Sequence, residues 1–258
     1  MRKLRIGVLV SGGGTNLQAI MDACESGAID GEVVVVGSDK AGVFGLERAE
    51  KAGIPTFVID YGAIRQDWLD SARKVPDDYV QADCQEKVGA RMFNKMGSVF
   101  FQMRAMVEEE LLHQLEPYNL DLLVLAGYMK ILTPYFIDRF NVDPGRPRIM
   151  NIHPALLPSF PGTDGYGDTL GYGCKVGGCT VHFVDYGEDT GPIIGQKAYS
   201  IKPEDDIESI KKKGLKLEWE LYPECIQLFA ENRLWVTKNP NGRKIVRIAE
   251  IHNTPSAT

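Results

Sequence analysis

SGGGTNLQAI, residues 11–20, follows the short apolar run LRIGVLV at residues 4–10, and this order of motifs decides the fold class. The continuous apolar run is typical of a strand that is buried on both faces. The stretch LQAIMDACESG carries apolar residues at helical spacing and predicts a helix that ends near Gly27. A strand, a glycine-rich turn and a helix in this order predict the first unit of a parallel α/β sheet.

The same alternation of strands and helices continues along the chain. Strands are predicted near residues 32–37, 55–60, 122–126, 148–152, 180–185 and 195–200, and a helix near 45–53. We therefore expect an α/β fold with a mostly parallel sheet and right-handed crossovers. The stretch LWVTKNPNGRKIVRI, residues 234–248, alternates about an Asn-Gly turn and predicts a β-hairpin, after which residues 252–258 are expected to fray.

Residues 62–118 contain more chain than one crossover between parallel strands needs. Within them, CQEKVGARMFNKMGSVFFQMRAMVEEELLHQL, residues 84–115, predicts one or two long helices. The Met and Phe residues of this stretch favour packing over a cofactor site, because Met commonly fills gaps in cores. The sequence leaves three roles open for the inserted helical segment: an extra core layer, a lid, or the face of a homodimer.

Composition narrows the class of function. The net charge of −6 argues against a general nucleic-acid or membrane-surface binder, since both favour a basic face. No apolar run is long enough to cross a bilayer, and the apolar part of MRKLRIGVLV is too short for a signal peptide. Five scattered cysteines without CxxC spacing indicate reduced thiols rather than a zinc site or a disulfide framework. We expect a cytoplasmic protein with small-molecule ligands.

The glycine turn at residues 11–16 has the chemistry of an anion site. Glycine lets the backbone approach a ligand closely, and the free N–H groups at a helix start attract phosphate. Leu17 stands where a dinucleotide fingerprint needs its third glycine, and no Gly-Lys-Ser/Thr follows. Two alternatives stay open: a plain turn capped by Thr15 or Asn16, and a nicotinamide enzyme in which Asp39 binds the ribose.

A second polar group stands at a predicted strand end, in NIHPALLPSFPG at residues 151–162. The amide of Asn151 can donate to a developing oxyanion, and His153 can move a proton or stabilise that charge as an imidazolium. Such a histidine needs a carboxylate partner, and VHFVDYGEDTGPI offers three: Asp185, Glu188 and Asp189. Taken alone, an Asn or His at a strand end is more often a loop hydrogen-bonding residue, and Asp189-Thr190-Gly191-Pro192 is most simply a β-turn.

The remaining histidines have no catalytic signature in the sequence. His182 lies inside a predicted strand, so we expect a structural histidine with satisfied hydrogen bonds. His113 and His252 are expected at the surface.

Five motifs in a fixed order resemble those of the folate-dependent formyltransferases: SGGGTNLQAI, SDKAGVFGLERAEKAGIPT, LAGYMKILTP, NIHPALLPSFPG and GCTVHFVDYGEDTGPII. The likeness runs from about residue 4 to 236 and is interrupted by residues 62–118, which are longer than the usual helix at that place. It implies a Rossmann-like formyltransferase domain over residues 1–236. Its N-terminal part would bind the ribonucleotide phosphate, and residues from about 120 to 236 would bind folate and carry the catalysis. A C-terminal hairpin and tail would follow over 237–258.

The resemblance also implies an activity. It implies transfer of the formyl group from 10-formyltetrahydrofolate to the glycine amine of glycinamide ribonucleotide, in purine biosynthesis and without a metal. Asn151, His153 and Asp189 match the catalytic triad of the family. Asn151 and protonated His153 would stabilise the tetrahedral oxyanion, while Asp189 would favour the imidazolium and help carry the amine proton through water.

Two further sets of residues match the binding positions of the family. Gly14, Thr15 and Asn16 match the cradle for the ribonucleotide phosphate, and Glu218 matches the acidic residue that binds the ribose hydroxyls. The implied folate pocket has two walls: Met129, Lys130, Ile131 and Leu132 on one side, and Val184, Asp185, Tyr186, Gly187 and Glu188 on the other.

One loop departs from the family pattern. After Pro161-Gly162 the family usually carries two histidines in PG-x-H-x-H, whereas this chain has Asp164 and Tyr166 within TDGYGDTL. We expect a negative, flexible loop there, which leaves rate and acceptor choice in question.

Two other functions stay open within the same resemblance. A formyltetrahydrofolate hydrolase shares the triad but adds a regulatory domain before it, and a non-catalytic folate- or nucleotide-binding paralogue would account for the lost histidines. Methionyl-tRNA formyltransferase fits less well, because it appends a large basic C-terminal domain and this chain is acidic.

Overall fold

The structure is a computed structural model that describes residues 2–250. The expected fraying of residues 252–258 and the position of His252 therefore lie outside the described residues. The strands are β1 (Leu4–Val10), β2 (Gly31–Ser38), β3 (Thr56–Val58), β4 (Leu122–Leu125), β5 (Ile149–His153), β6 (Val176–Phe183), β7 (Ile193–Ser200), β8 (Leu234–Lys238) and β9 (Lys244–Ile248). The helices are α1 (Thr15–Glu25), α2 (Phe44–Lys51), α3 (Tyr61–Leu69), α4 (Gln81–Met96), α5 (Ser98–Leu115), α6 (Pro134–Phe140), α7 (Gly165–Gly171) and α8 (Ile207–Ala230).

The main sheet has the strand order β3-β2-β1-β4-β5-β6-β7. Neighbours from β3 to β5 run parallel, while β6 and β7 are antiparallel to their neighbours. The expected mostly parallel sheet is therefore confirmed. The β8–β9 hairpin forms a separate antiparallel pair, as predicted, and the expected domain boundary at residue 236 falls within β8.

Alternation along β1 explains why this strand reads as one apolar run. Ile6, Val8 and Val10 pack into the core shared with α1 and α8, whereas Leu9 packs into the core on the opposite face with α5 and α6. Successive side chains of a strand point to opposite faces, so a strand covered on both sides needs apolar residues throughout.

The inserted segment folds into helices that add a core layer. As predicted, residues 84–115 form two helices, α4 and α5, and α4 is broken at Gly89, whose φ of 78° is not helical. Phe93 and Phe101 stack with ring centroids 4.9 Å apart and form a small third core with Cys84. Packing is thus confirmed for these aromatic side chains.

The prediction of a flexible loop at TDGYGDTL is wrong, because residues 165–171 form α7. The Asp164 carboxylate accepts a hydrogen bond from the backbone N–H of Gly167 and caps the helix. Gly165 packs so closely on the Pro154 carbonyl that a Cβ there would lie 3.0 Å from its oxygen. A side-chain cap and close packing thus order a stretch whose glycine content indicated mobility.

Two other elements differ from the expectation. Strand β6 begins at Val176 rather than at 180. Gly177 and Gly178 have no side chains, so the Tyr199 ring and the Lys197 carbonyl of β7 can lie close to the backbone of β6 there. The longest helix, α8, is not among the elements predicted from the sequence, and it contains Pro223. Over residues 2–250, no helix combines the length and the apolar character that a membrane span requires.

Candidate active site

A cleft of about 370 Å³ opens at the carboxyl ends of β1, β4 and β5. This is the edge at which open α/β sheets bind their ligands. Of the predicted site residues, Tyr186 alone does not line the cleft. The predicted residues that line the cleft are Gly14, Thr15, Asn16, Met129, Lys130, Ile131, Leu132, Asn151, His153, Val184, Asp185, Gly187, Glu188, Asp189 and Glu218.

Strand β5 places Asn151 and His153 on one face of the sheet. The two residues are separated by one position, so their side chains point to the same side. In the antiparallel register, Asn151 lies directly opposite His182 of β6, which brings that histidine to the same face. His153 is 2% exposed, so its imidazole is shielded from bulk water.

The Asp189 carboxylate lies among all three of these side chains. Its Oδ2 atom is 3.3 Å from Nδ1 of His153 and accepts a hydrogen bond of 2.9 Å from the backbone N–H of Gly162. Its Oδ1 atom is 3.4 Å from Nδ2 of Asn151 and 3.6 Å from Nε2 of His182. Asp189 adopts a left-handed conformation with φ of 52°, which costs backbone energy and is typical of functional positions.

The environment of Asp189 keeps its carboxyl group ionised. Burial acts to raise the pKa of Asp189, but hydrogen bonds from His182 and the Gly162 amide, together with the charge of protonated His153, outweigh burial. The net effect is a pKa below the ordinary value of 3.8. Asp189 is therefore available as an anion near neutral pH.

His153 has an acceptor at each ring nitrogen. Besides the contact of Nδ1 with Asp189, its Nε2 atom lies 2.7 Å from the backbone carbonyl oxygen of Phe160. A carboxylate and a carbonyl only accept hydrogen bonds, so both contacts are hydrogen bonds only when the imidazole carries two protons. The arrangement thus suits an imidazolium. Phe160 itself adopts a φ of 55°, which aims its carbonyl at the ring.

His182 also lines the cleft, although its place inside a strand predicts only a structural histidine. Its Nδ1 atom lies 2.9 Å from the carbonyl oxygen of Phe183, while Nε2 faces Asp189 and Asn151. The structural role is therefore present, but the other edge of the ring faces the predicted catalytic residues Asn151 and Asp189. Pairing β5 with β6 in the correct register is the signal that identifies it.

The glycine turn places the N-terminus of α1 at the other end of the cleft. Gly14 has φ of 67° and is the N-cap of α1, and no side chain caps this helix, so the alternative in which Thr15 or Asn16 caps it is wrong. A Cβ at Gly14 would lie 2.6 Å from the Cα of Gly45. Arg48 donates to the Gly13 carbonyl at 2.9 Å and brings a cation to the turn. The uncapped N–H groups suit an anionic ligand.

Asp39 does not take the place that the nicotinamide alternative needs. Its side chain is 1% exposed, is absent from the cleft lining, and lies 3.4 Å from Nζ of Lys130. This geometry gives the nicotinamide alternative no support.

Glu218 lies between the glycine turn and α7. It is 4% exposed, and its Oε2 atom accepts a hydrogen bond of 2.7 Å from Nδ2 of Asn16. Its Oε1 atom accepts a hydrogen bond from the Tyr166 hydroxyl. Burial, and then the neighbouring Glu218 charge, raise the pKa of Tyr166, so the phenol stays protonated as a donor.

The inserted segment supports both predicted folate walls. From α5, Arg104 donates to the Ile131 carbonyl, and Glu108 accepts from the backbone N–H of Thr133 at 2.8 Å. Burial raises the pKa of Glu108. On the other wall, the side chain of Tyr186 turns away from the cleft.

The Tyr186 hydroxyl instead donates to Oδ1 of Asp138 at 2.6 Å, and Oδ2 of Asp138 lies 2.7 Å from Nζ of Lys87 on α4. The helices α4, α5 and α6 thus hold the segments that form the cleft walls. Among residues 2–250, no three or more His, Cys, Asp or Glu side chains are grouped to hold a metal ion.

Comparison with known proteins gives a consistent set of relatives. The formyl transferase family model matches residues 4–226. The phosphoribosylglycinamide formyltransferase of Haemophilus influenzae is 37% identical over 235 residues, 91% of either chain. The glycinamide ribonucleotide transformylase 1 structure from Symbiobacterium toebii is 38% identical, with a TM-score of 0.74, over 96% of this chain and 95% of that one.

A longer relative shares the same region. The trifunctional purine biosynthetic protein adenosine-3 of Drosophila melanogaster is 37% identical over 229 residues, or 88% of this chain. The matched region is 14% of that relative, so the chain spans about a seventh of its length.

Proposed function

The chain belongs to the formyl transferase family, and on that basis we propose that it transfers the formyl group of 10-formyltetrahydrofolate to the glycine amine of glycinamide ribonucleotide. One observation carries the proposal: two groups of residues line the same cleft. The Asp189 carboxylate lies beside His153 and Asn151, and the uncapped N-terminus of α1 lies beside Glu218. The first group suits acyl transfer, and the second suits a phosphorylated ribose.

The proposed chemistry follows from the hydrogen bonds that these side chains can make. The neutral amine attacks the formyl carbon, a new C–N bond forms, and the carbonyl oxygen becomes an oxyanion. Asn151 and the His153 imidazolium donate to that oxygen. To do so, Nε2 of His153 gives up its hydrogen bond to the Phe160 carbonyl and donates to the oxyanion instead. Asp189 holds the imidazolium, and the amine proton passes through water to the folate nitrogen as the old C–N bond breaks.

The proposed substrate positions divide the cleft. Gly14, Thr15 and Asn16 bind the phosphate with backbone N–H groups, and Glu218 accepts from the ribose hydroxyls. The flat folate ring lies between the two walls, Met129–Leu132 and Val184–Glu188, where apolar side chains and backbone groups suit a heteroaromatic ring. Tyr186 contributes through its bond to Asp138 rather than through contact.

A formyltetrahydrofolate hydrolase is the main alternative, since the same three residues would assist attack by water. The Asn16–Glu218 hydrogen bond and the uncapped N-terminus of α1 favour the transferase, because a hydrolase needs no ribonucleotide acceptor. A cytoplasmic location, a homodimer, and the absence of nucleic-acid, membrane and metal partners stay predictions.

One assay separates the candidates. The absorbance change of a formylated folate analogue is followed with and without glycinamide ribonucleotide. We expect turnover only with the acceptor. Turnover without the acceptor would identify a hydrolase, and binding of both ligands without turnover would identify a non-catalytic paralogue.

A further inference from the structure

The loop that departs from the family pattern contacts Glu218 rather than the catalytic histidine. Asp164 is exposed and its carboxylate caps α7, so it serves the local fold. Tyr166 points into the cleft, and its hydroxyl donates to Oε1 of Glu218. The structure thus links the departure to the acceptor end of the cleft.

Glu218 needs this link because it is a nearly buried carboxylate. Burying a charge is costly unless hydrogen bonds replace the lost water. Each carboxylate oxygen has one protein donor, Asn16 at Oε2 and Tyr166 at Oε1. A carboxylate offers about four acceptor positions, so two donors fix its plane and leave acceptor capacity for a ligand.

The ring of Tyr166 is held as firmly as its hydroxyl. It packs against Gly214 of α8 so closely that a Cβ there would lie 2.4 Å from the ring. At its own backbone, α7 is fixed by the Asp164 cap and by a hydrogen bond of 2.6 Å from Thr169 to the Gly165 carbonyl. The phenol therefore has little freedom to leave Glu218.

We propose that Tyr166 is a positioning residue for acceptor specificity, which together with Asn16 holds the Glu218 carboxylate ready to accept hydrogen bonds from the ribose hydroxyls. This inference rests on the proposed function. The second amide atom of Asn16, Oδ1, supports it: this atom is buried and has no hydrogen-bond partner within the described residues. A buried acceptor without a partner, on the same amide group that donates to Glu218, suits a ligand that brings hydroxyl donors.

The test combines a protein change with a ligand change. Tyr166→Phe removes the hydroxyl and keeps the ring on Gly214. We expect the KM for glycinamide ribonucleotide to rise about tenfold or more, since hydrogen bonds to charged groups have this strength. The folate KM and the pH profile of kcat should stay unchanged. Tyr172→Phe is the matched control, because Tyr172 is 81% exposed.

Deoxy acceptors distinguish positioning from general support of the fold. Binding of glycinamide ribonucleotide and of its 2′-deoxy and 3′-deoxy forms is measured by calorimetry. The wild type should prefer the ribose form, and Tyr166→Phe should lose most of that preference. Equal weakening for all three ligands would overturn the inference, as would an unchanged KM. Gly214→Ala, which displaces the ring, should reproduce the loss if Tyr166→Phe does not fold.

Different results would contradict the proposed formyl transfer and the positioning role of Tyr166. No turnover by the wild type with any acceptor would contradict the proposed function, while the calorimetry would still test Tyr166. Wild-type turnover with an unaltered ribose preference in Tyr166→Phe would contradict the inference alone.

Discussion

Oδ2 of Asp189 lies 3.3 Å from Nδ1 of His153, although His153 ends β5 and Asp189 belongs to the loop between β6 and β7. The same oxygen accepts from the Gly162 amide, so one carboxylate fixes both the imidazole and the loop that follows β5. Removing its charge should therefore change the chemistry more than the fold.

Asp189→Asn should lower kcat by about a hundredfold to ten-thousandfold, with modest changes in the KM of either substrate. The amide keeps the size of the side chain but no longer favours the imidazolium. Steady-state kinetics with both substrates measure the effect. Asp168→Asn on the exposed face of α7 is the control and should leave kcat unchanged. An unaltered kcat in Asp189→Asn would remove this residue from the mechanism.

The lowered pKa of Asp189 predicts a defined pH dependence of stability. A group whose pKa is lower in the folded state stabilises the fold above its unfolded pKa, here 3.8, and loses this contribution as pH falls through the folded value. The difference in unfolding free energy between wild type and Asp189→Asn should still be present near pH 5 and shrink as pH falls below 3.8. Denaturant titrations at several pH values measure it. A difference that vanishes already near pH 5 would contradict the lowered pKa.

Gly191→Ala should abolish activity by displacing the turn that carries Asp189. A Cβ at Gly191 would lie 1.7 Å from the Phe183 carbonyl oxygen, a distance that forces the backbone to move. The matched control is Gly171→Ala, where a Cβ would meet no atom within 4 Å. We expect the control to keep full activity. Kinetics and thermal melting of both variants test this, and an active Gly191→Ala enzyme would show that the turn tolerates a shift.

Asp138→Ala should weaken folate binding without touching the cleft. It removes the acceptor of both the Tyr186 hydroxyl and the Lys87 ammonium, so the 184–188 wall loses its tie to α6 and α4. The folate KM should rise by about fivefold or less, because partly exposed ion pairs are weak, while the acceptor KM stays constant. Glu86→Ala, an exposed neighbour of Lys87, is the control. An effect on the acceptor KM alone would contradict this role.

The strands could be predicted well because burial on both faces leaves a strong local signal. The continuous apolar run of β1 and the polar pair in β5 are visible in the sequence, and they locate the sheet edge with Asn151 and His153. By contrast, Asp189 is 38 positions away from Asn151, so the resemblance rather than spacing identifies it. His182 requires the strand register, which depends on long-range pairing.

The helix α7 shows a different limit of sequence-based prediction. Its glycines indicate a flexible loop, but each of two glycines fits a crowded place: Gly165 against Pro154, and Gly167 beside the Asp164 carboxylate. Tertiary contacts outweigh the low helix propensity of glycine. Such contacts are not encoded in local composition.

The hydrogen bonds around Glu218 also bear on how the protein is made. They join residues 16, 166 and 218, which are 202 positions apart at the extremes. Contacts of such long sequence separation form only after most of the chain has collapsed. A nascent chain on the ribosome therefore cannot form the proposed acceptor site until α8 has emerged, so we expect the early strands to fold without stabilisation by bound glycinamide ribonucleotide.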